Sequence, residues 1–206
     1  MTNQRRYQDH YGRRAKAEGR PARSVFKLAE IDQRWRILRP GDHVLDLGAA
    51  PGSWIQYAAE KVGPAGSVVG YDLTPIGIGL PAHAKTIVAD VFALDTDELA
   101  GPFDVVLSDM APSTMGDHHT DAARSEALVE RALDLADRHL RRGGIVVTKV
   151  LEGAGMPAIV LRMRQAYVRV ERLRPDATRR HSTEIFLIGL KKNLPPIAAG
   201  NQRLVQ

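Results

Sequence analysis

The chain has 206 residues and no cysteine. Disulfides, thiolate-bound zinc, iron–sulfur clusters and a thiol nucleophile are therefore excluded. Nowhere do about 18 apolar residues run together, and the N-terminus, MTNQRRYQDHYGRR, is polar and arginine-rich with no apolar h-region, so neither export nor a membrane span is expected. A cytoplasmic protein with no membrane partner is the expectation. Internal repeats and low-complexity tracts are absent as well, and no G-x-G-x-x-G occurs in the first glycine-bearing turn.

What is present fits an ordinary folded domain: 44% hydrophobic and 26% charged residues are enough to bury a core. The net charge of +5 is unevenly placed. Residues 1–39 carry +7, residues 40–161 carry −9 and residues 162–206 carry +7. Clustered Lys and Arg at both ends suit a polyanion, because phosphate-backbone binding is driven by such clusters. Residues 1–22 have little apolar periodicity and read as a basic flexible arm. Residues 23–192 read as the folded domain, and 193–206 as a tail.

From Ser24 onward, SVFKLAEIDQRW has helical spacing with Ser24 as a candidate N-cap, and the helix is expected to end near Arg39-Pro40-Gly41. Strand-like apolar runs then follow at 43–49, 67–73, 85–91, 103–110, 144–151 and 183–190, with helical patterns between them. Near-continuous Val/Ile runs separated by helices predict a doubly wound α/β domain built on a mostly parallel sheet. Only DATRRHS separates YVRVERLRP from TEIFLIGL, so these last two strands are expected to pair antiparallel at one edge.

The chemistry-bearing residues lie at strand ends. Asp46-Leu47-Gly48-Ala49-Ala50-Pro51-Gly52-Ser53-Trp54 leads from the first strand into a helix, and its small residues permit close backbone approach to a ligand. Pro51 lacks the N–H that a diphosphate cradle uses, which argues against NAD. Asp72 and Asp90 end the next two strands. Three acids beside such a turn suit a cationic nucleoside such as S-adenosylmethionine better than a phosphate. Asp109 follows the fourth strand. Lys149 interrupts the apolar run GIVVTKVL, where a lysine is costly unless paired or functional. Glu184 opens the last strand, and Lys27 sits between Phe26 and Leu28. Asp117-His118-His119 imitates a metal-dependent phosphoesterase signature but reads as a polar loop, and no metal is expected.

RSVFKLAEID, DLGAAPGSW, SDMAPS, GGIVVTKVLEG and RPDATRRHSTEIF occur in the order and wording of one family. Over roughly residues 20–192 the chain resembles the FtsJ-type RNA ribose 2'-O-methyltransferases, in particular the bacterial enzymes acting on large-subunit (23S) ribosomal RNA. The resemblance implies a Rossmann-like S-adenosylmethionine-dependent methyltransferase fold with a seven-stranded sheet. It implies a catalytic tetrad, here Lys27, Asp109, Lys149 and Glu184, and methyl-donor contacts from Gly52, Trp54, Asp72, Asp90 and Asp109. Family members often have glycine where Ser53 stands and tyrosine where Phe186 stands. A ribose hydroxyl is a poor nucleophile and must be aligned and relieved of its proton, so Lys149 is assigned as proton acceptor. Arg5, Arg6, Arg13, Arg14, Arg23, Arg174, Arg179 and Arg180 are candidates for RNA phosphates. A monomer acting on 23S ribosomal RNA in the large subunit is expected. Alternatives are action on transfer RNA or an mRNA cap, and a non-catalytic RNA-binding role, which the intact tetrad disfavours.

Overall fold

The computed structural model describes residues 3–94, 99, 101–112, 116–179 and 181–193. Arg180 and the tail from 194 onward lie outside them, as do the side chains of Arg5 and Arg6. In chain order the elements are α1 (Asn3–Ala17), α2 (Val25–Trp35), β1 (His43–Leu47), α3 (Ser53–Val62), β2 (Ser67–Asp72), β3 (Ala84–Val88), β4 (Phe103–Ser108), α4 (His118–His139), β5 (Leu140–Leu151), α5 (Met156–Ala166), β6 (Tyr167–Leu173) and β7 (Glu184–Lys192).

The strands form one seven-stranded sheet in the order β3-β2-β1-β4-β5-β7-β6. β1 to β5 run parallel, and β7 runs antiparallel to both β5 and β6. The last two strands do pair antiparallel at one edge, with the reversed strand β7 lying inside β6. One face of the sheet packs on α4 and α5 through a core that includes Leu45, Val106, Leu135, Val146 and Met163. The other packs on α2 and α3 through Leu28, Ile31, Val44, Ile55, Leu107 and Phe186. Strand order reverses between β1 and β4, and the carboxyl ends there form the crevice where such sheets bind ligands.

Four local expectations differ from what is found. The N-terminal segment is helical over Asn3–Ala17 instead of an irregular arm. Its packing rests on a narrow stripe that apolar periodicity does not register: Ala15 is buried, the Tyr11 ring lies 5.6 Å from that of Phe26, and the Arg14 guanidinium lies 4.5 Å over Phe26. α2 ends at Trp35, before Arg39, because Arg36 turns left-handed at φ 50° and donates its N–H to the Asp32 carbonyl. The buried Asp32 carboxylate then takes the Leu38 N–H at 3.1 Å and the Tyr57 hydroxyl at 3.0 Å, which fixes the chain's exit. Ser24 does not cap α2 with its side chain. Asp117, read as a loop residue, caps α4, its side chain accepting the Thr120 N–H, so the Asp-His-His run opens a helix.

The end of α4 is closed from a distance. Lys192 donates to the carbonyls of Ala136, Asp137 and Leu140 at 2.7, 2.7 and 2.9 Å, and burial holds its pKa below the usual lysine range. Carbonyls at a helix end commonly lack a full set of partners; here Ala136 also takes the Leu140 N–H, and Lys192 adds a charged donor to it and to its two neighbours in the turn. Lys192→Met is expected to cost about 1–3 kcal/mol in urea unfolding, since three acceptors lose a charged donor. An unchanged midpoint would show that solvent replaces it.

Candidate active site

Strand parity assembles the site. Leu107 of β4 pairs with Asp46 of β1 and with Val147 of β5, and Leu151 of β5 pairs with Glu184 of β7. Side chains two residues apart on a strand share a face. Lys149 and Glu184 therefore both face α2, and Lys27 descends from α2 onto the same place. Asp109 lies one residue beyond β4, where its N–H still bonds the Leu47 carbonyl at 3.2 Å.

The four residues expected to form the tetrad meet as two ion pairs. Lys149 Nζ donates to Asp109 Oδ1 at 2.9 Å and to the Asp109 carbonyl at 2.6 Å. Lys27 Nζ donates to Glu184 Oε1 at 2.5 Å and lies 5.8 Å over the Phe186 ring. Both lysines are only 8% exposed. Leaving either partner out of such a pair would strand a buried charge, so each pair fixes the other member's position. Phe186, directly opposite Lys149 on β7, is fully buried and fills the floor between the pairs.

At the carboxyl ends of β1, β2 and β4, a cleft of about 470 Å³ opens between the sheet and α4; it reaches Met110, the neighbour of Asp109, and none of the four paired residues lines it. Gly48, Asp72, Asp90, Phe92, Met110 and Arg124 are among its lining residues. Gly48 has φ +81°, and a Cβ there would come within 2.8 Å of the Met110 side chain, so the turn requires glycine. Asp72 is anchored by the N–H groups of Ala50 and Thr74 at 3.0 and 2.8 Å, and Asp90 by that of Phe92 at 2.9 Å. Each carboxylate keeps lone pairs for a ligand hydroxyl or amine.

Asp46 carries the most informative electrostatics. It is fully buried, and neither carboxylate oxygen has a hydrogen-bond partner among the described residues. Burial first, then the nearby charges of Asp109 and Asp72, push its pKa up to about 8. The acids that line the cleft, Asp72 and Asp90, offer acceptors and negative charge, a set that fits S-adenosylmethionine, which carries a sulfonium and an ammonium, and does not fit a diphosphate.

The remaining candidates divide. Trp54 is expected to touch the donor, yet its indole is 2% exposed, donates Nε1–H to the Ser24 carbonyl at 2.9 Å and packs on Phe186 at 5.6 Å. Its ring faces α2 and β7. Gly52, with φ +111°, is overlaid by Ile76 and Ile78 of the segment between β2 and β3. Arg23 lies close enough to Arg179 and Glu184 to feel both: burial and the Arg179 charge hold its pKa below the usual arginine range. Arg174 donates to the Arg179 carbonyl at 3.3 Å, whereas Arg14 is spent on Phe26 and Glu18. Phe92, Met110 and Arg124 line the cleft without standing out in the sequence. The first two adjoin the strand-end acids Asp90 and Asp109, and that adjacency is the signal that could find them.

Comparison with known proteins points to one family. A family model described as FtsJ-like methyltransferase matches residues 21–192. A Desulfosudis oleivorans protein named ribosomal RNA large subunit methyltransferase E is 46% identical over 194 residues, covering 93% of this chain and 94% of that relative. A Syntrophobacter fumaroxidans protein of the same name is 48% identical over 191 residues, covering 89% and 95%. Among solved structures, a Plasmodium falciparum protein described as a ribosomal RNA methyltransferase superposes with a TM-score of 0.71 at 20% identity, covering 83% of this chain and 97% of that one, and so shares the fold. With the family model spanning nearly the whole described domain, the chain belongs to the FtsJ-like methyltransferase family.

Proposed function

We propose that this protein transfers a methyl group from S-adenosylmethionine to a ribose 2'-hydroxyl of large-subunit (23S) ribosomal RNA, with Lys149 accepting the hydroxyl proton. The observation that carries the reading is the meeting of two buried lysine–carboxylate pairs, one of them on Asp109, whose neighbour Met110 lines a cleft with the acids Asp72 and Asp90. The relatives' names, at 46–48% identity over almost the whole chain, supply the RNA class.

The donor, when bound, supplies an electrophilic methyl group on a sulfonium. On this reading Asp72 and Asp90 hold its sugar and base, and Asp46 balances its positive charge. Among the described residues Lys149 has two hydrogen bonds, both to Asp109. In the resting ion pair Lys149 is an ammonium, so it accepts the hydroxyl proton only after releasing one of its own; the neutral amine then has two N–H donors and one lone pair, so both bonds to Asp109 persist while the lone pair faces a hydroxyl. On taking the proton, the amine becomes an ammonium already seated against the Asp109 carboxylate, which stabilises the charge as it forms. Lys27, held by Glu184, supplies a fixed cation for the hydroxyl oxygen or an adjoining phosphate. The near-complete burial of both lysines keeps water away from the amine.

The RNA class is tested by incubating the protein with labelled donor and either large ribosomal subunits or total transfer RNA. Label in the large-subunit RNA is expected, and label confined to transfer RNA would overturn that part of the reading. The basic flanks make a separate expectation. Neutralising Arg23, Arg174 and Arg179 together should weaken RNA binding and reduce the slope of log affinity against log salt by about 1 for each phosphate left without its arginine, with donor affinity unchanged. An unaltered slope in a salt titration would mean that these arginines only solvate the surface.

A further inference from the structure

α2 begins without a side-chain cap, yet it carries Lys27 in its first turn. What holds that turn is the start of α3. Ser53, 1% exposed, accepts the Ala22 N–H at 2.7 Å through its hydroxyl, which in turn donates to the Ala22 carbonyl at 3.2 Å. The Trp54 indole N–H donates to the Ser24 carbonyl, the same oxygen that receives the Lys27 N–H at 3.0 Å. Farther along α3, Glu60 holds Arg20 through both guanidinium nitrogens at 2.5 and 2.7 Å. The five residues before α2 are thus fastened to α3 at three points, two of them in the turn that follows Pro51 and Gly52.

We propose that Ser53, seconded by Trp54, is a positioning residue for Lys27: its hydroxyl ties the segment leading into α2 to the first turn of α3, and so sets where the Lys27 ammonium stands. The proposal rests on the assignment of Lys27 to the reacting site. A glycine at position 53 would offer no hydroxyl to Ala22. The geometry leaves little slack, because Lys27 must satisfy Glu184 at 2.5 Å while staying over Phe186, and Phe186 itself is packed by the Trp54 ring. Loss of the Ser53 hydroxyl would leave the half-buried Ala22 N–H without its acceptor and let the turn shift, and small misplacements of a reacting group lower rates steeply.

The test is a double-mutant cycle on single-turnover methyl transfer at saturating donor and RNA, using the full chain. Ser53→Ala, which keeps the Cβ, is expected to slow transfer about tenfold, with donor affinity by calorimetry within about twofold of the original. In a Lys27→Ala background, Ser53→Ala is expected to cause no further loss, because the lysine it positions is gone. Equal losses in both backgrounds, no loss in the original protein, or a loss explained wholly by weaker donor binding would each overturn the proposal. If Ser53→Ala does not fold, Trp54→Phe removes the indole N–H while keeping a ring on Phe186, and the same cycle decides. A full transfer rate in Lys27→Ala alone is a different failure: it would remove Lys27 from the reacting site altogether.

Discussion

Lys149→Ala is expected to lose methyl transfer by about 10²–10⁴-fold while folding and donor binding persist, the loss typical of removing a general base. The lysine lies in a central strand, 8% exposed, hydrogen-bonded to the carboxylate and the carbonyl of Asp109. Lys149→Arg should fare no better. A guanidinium retains the charge and can pair with Asp109, but it does not release its proton near neutral pH and so cannot accept another. Single-turnover rates of the two variants separate a base from a fixed cation. Near-normal transfer by the arginine variant would leave Lys149 as a positioning charge and move proton acceptance elsewhere.

Asp46→Asn is expected to change stability in a pH-dependent way. An ordinary aspartate titrates near 3.8, and burial beside Asp109 and Asp72 raises Asp46 to about 8. Below the unfolded value both states hold the proton, and the acid imposes no titration penalty. As pH rises from about 4 to about 8, the unfolded chain releases its proton while the folded one keeps it, so folding stability falls across that window and levels off above it. Asparagine does not titrate. The variant's stability relative to the original should therefore rise by a few kcal/mol between pH 5 and pH 8.5, since each tenfold difference in proton affinity between the two states is worth roughly 1.4 kcal/mol before relaxation around the buried group reduces it. Denaturant melts at the two pH values check this, and a constant difference would contradict it. A bound cation favours the ionised carboxylate, so donor binding should release a proton near pH 7, and this release should disappear in Asp46→Asn.

The sheet was legible in the sequence because strands covered on both faces need continuous apolar runs, and β1, β2, β4 and β5 have them. The turn at Gly48–Gly52 was legible because small residues at a strand end have few other uses. β5 starts at Leu140, earlier than the apolar run, since Arg141-Arg142-Gly143 reads as a loop although it continues the strand. The placement of β7 between β5 and β6 follows from burial: Ile185 to Ile188 are all buried, while β6 exposes Val168, Arg169 and Arg172, as suits an edge. α1 was missed because Tyr11 and Ala15 make too thin a stripe to show as periodicity. The tetrad could be named only by resemblance, since pairing Lys27 with Glu184 joins residues 157 positions apart. The Ser53 contact could not be read at all. A hydroxyl gives no hint in sequence of the backbone it will bond.

The most direct measurement of the central claim concerns where the methyl group lands. RNA from large subunits labelled by the protein is hydrolysed completely with alkali, which cleaves through free 2'-hydroxyls. Methylation of the ribose blocks cleavage at that nucleotide, so the label is expected in an alkali-resistant dinucleotide. Label recovered in mononucleotides with the methyl group on the base would contradict the account.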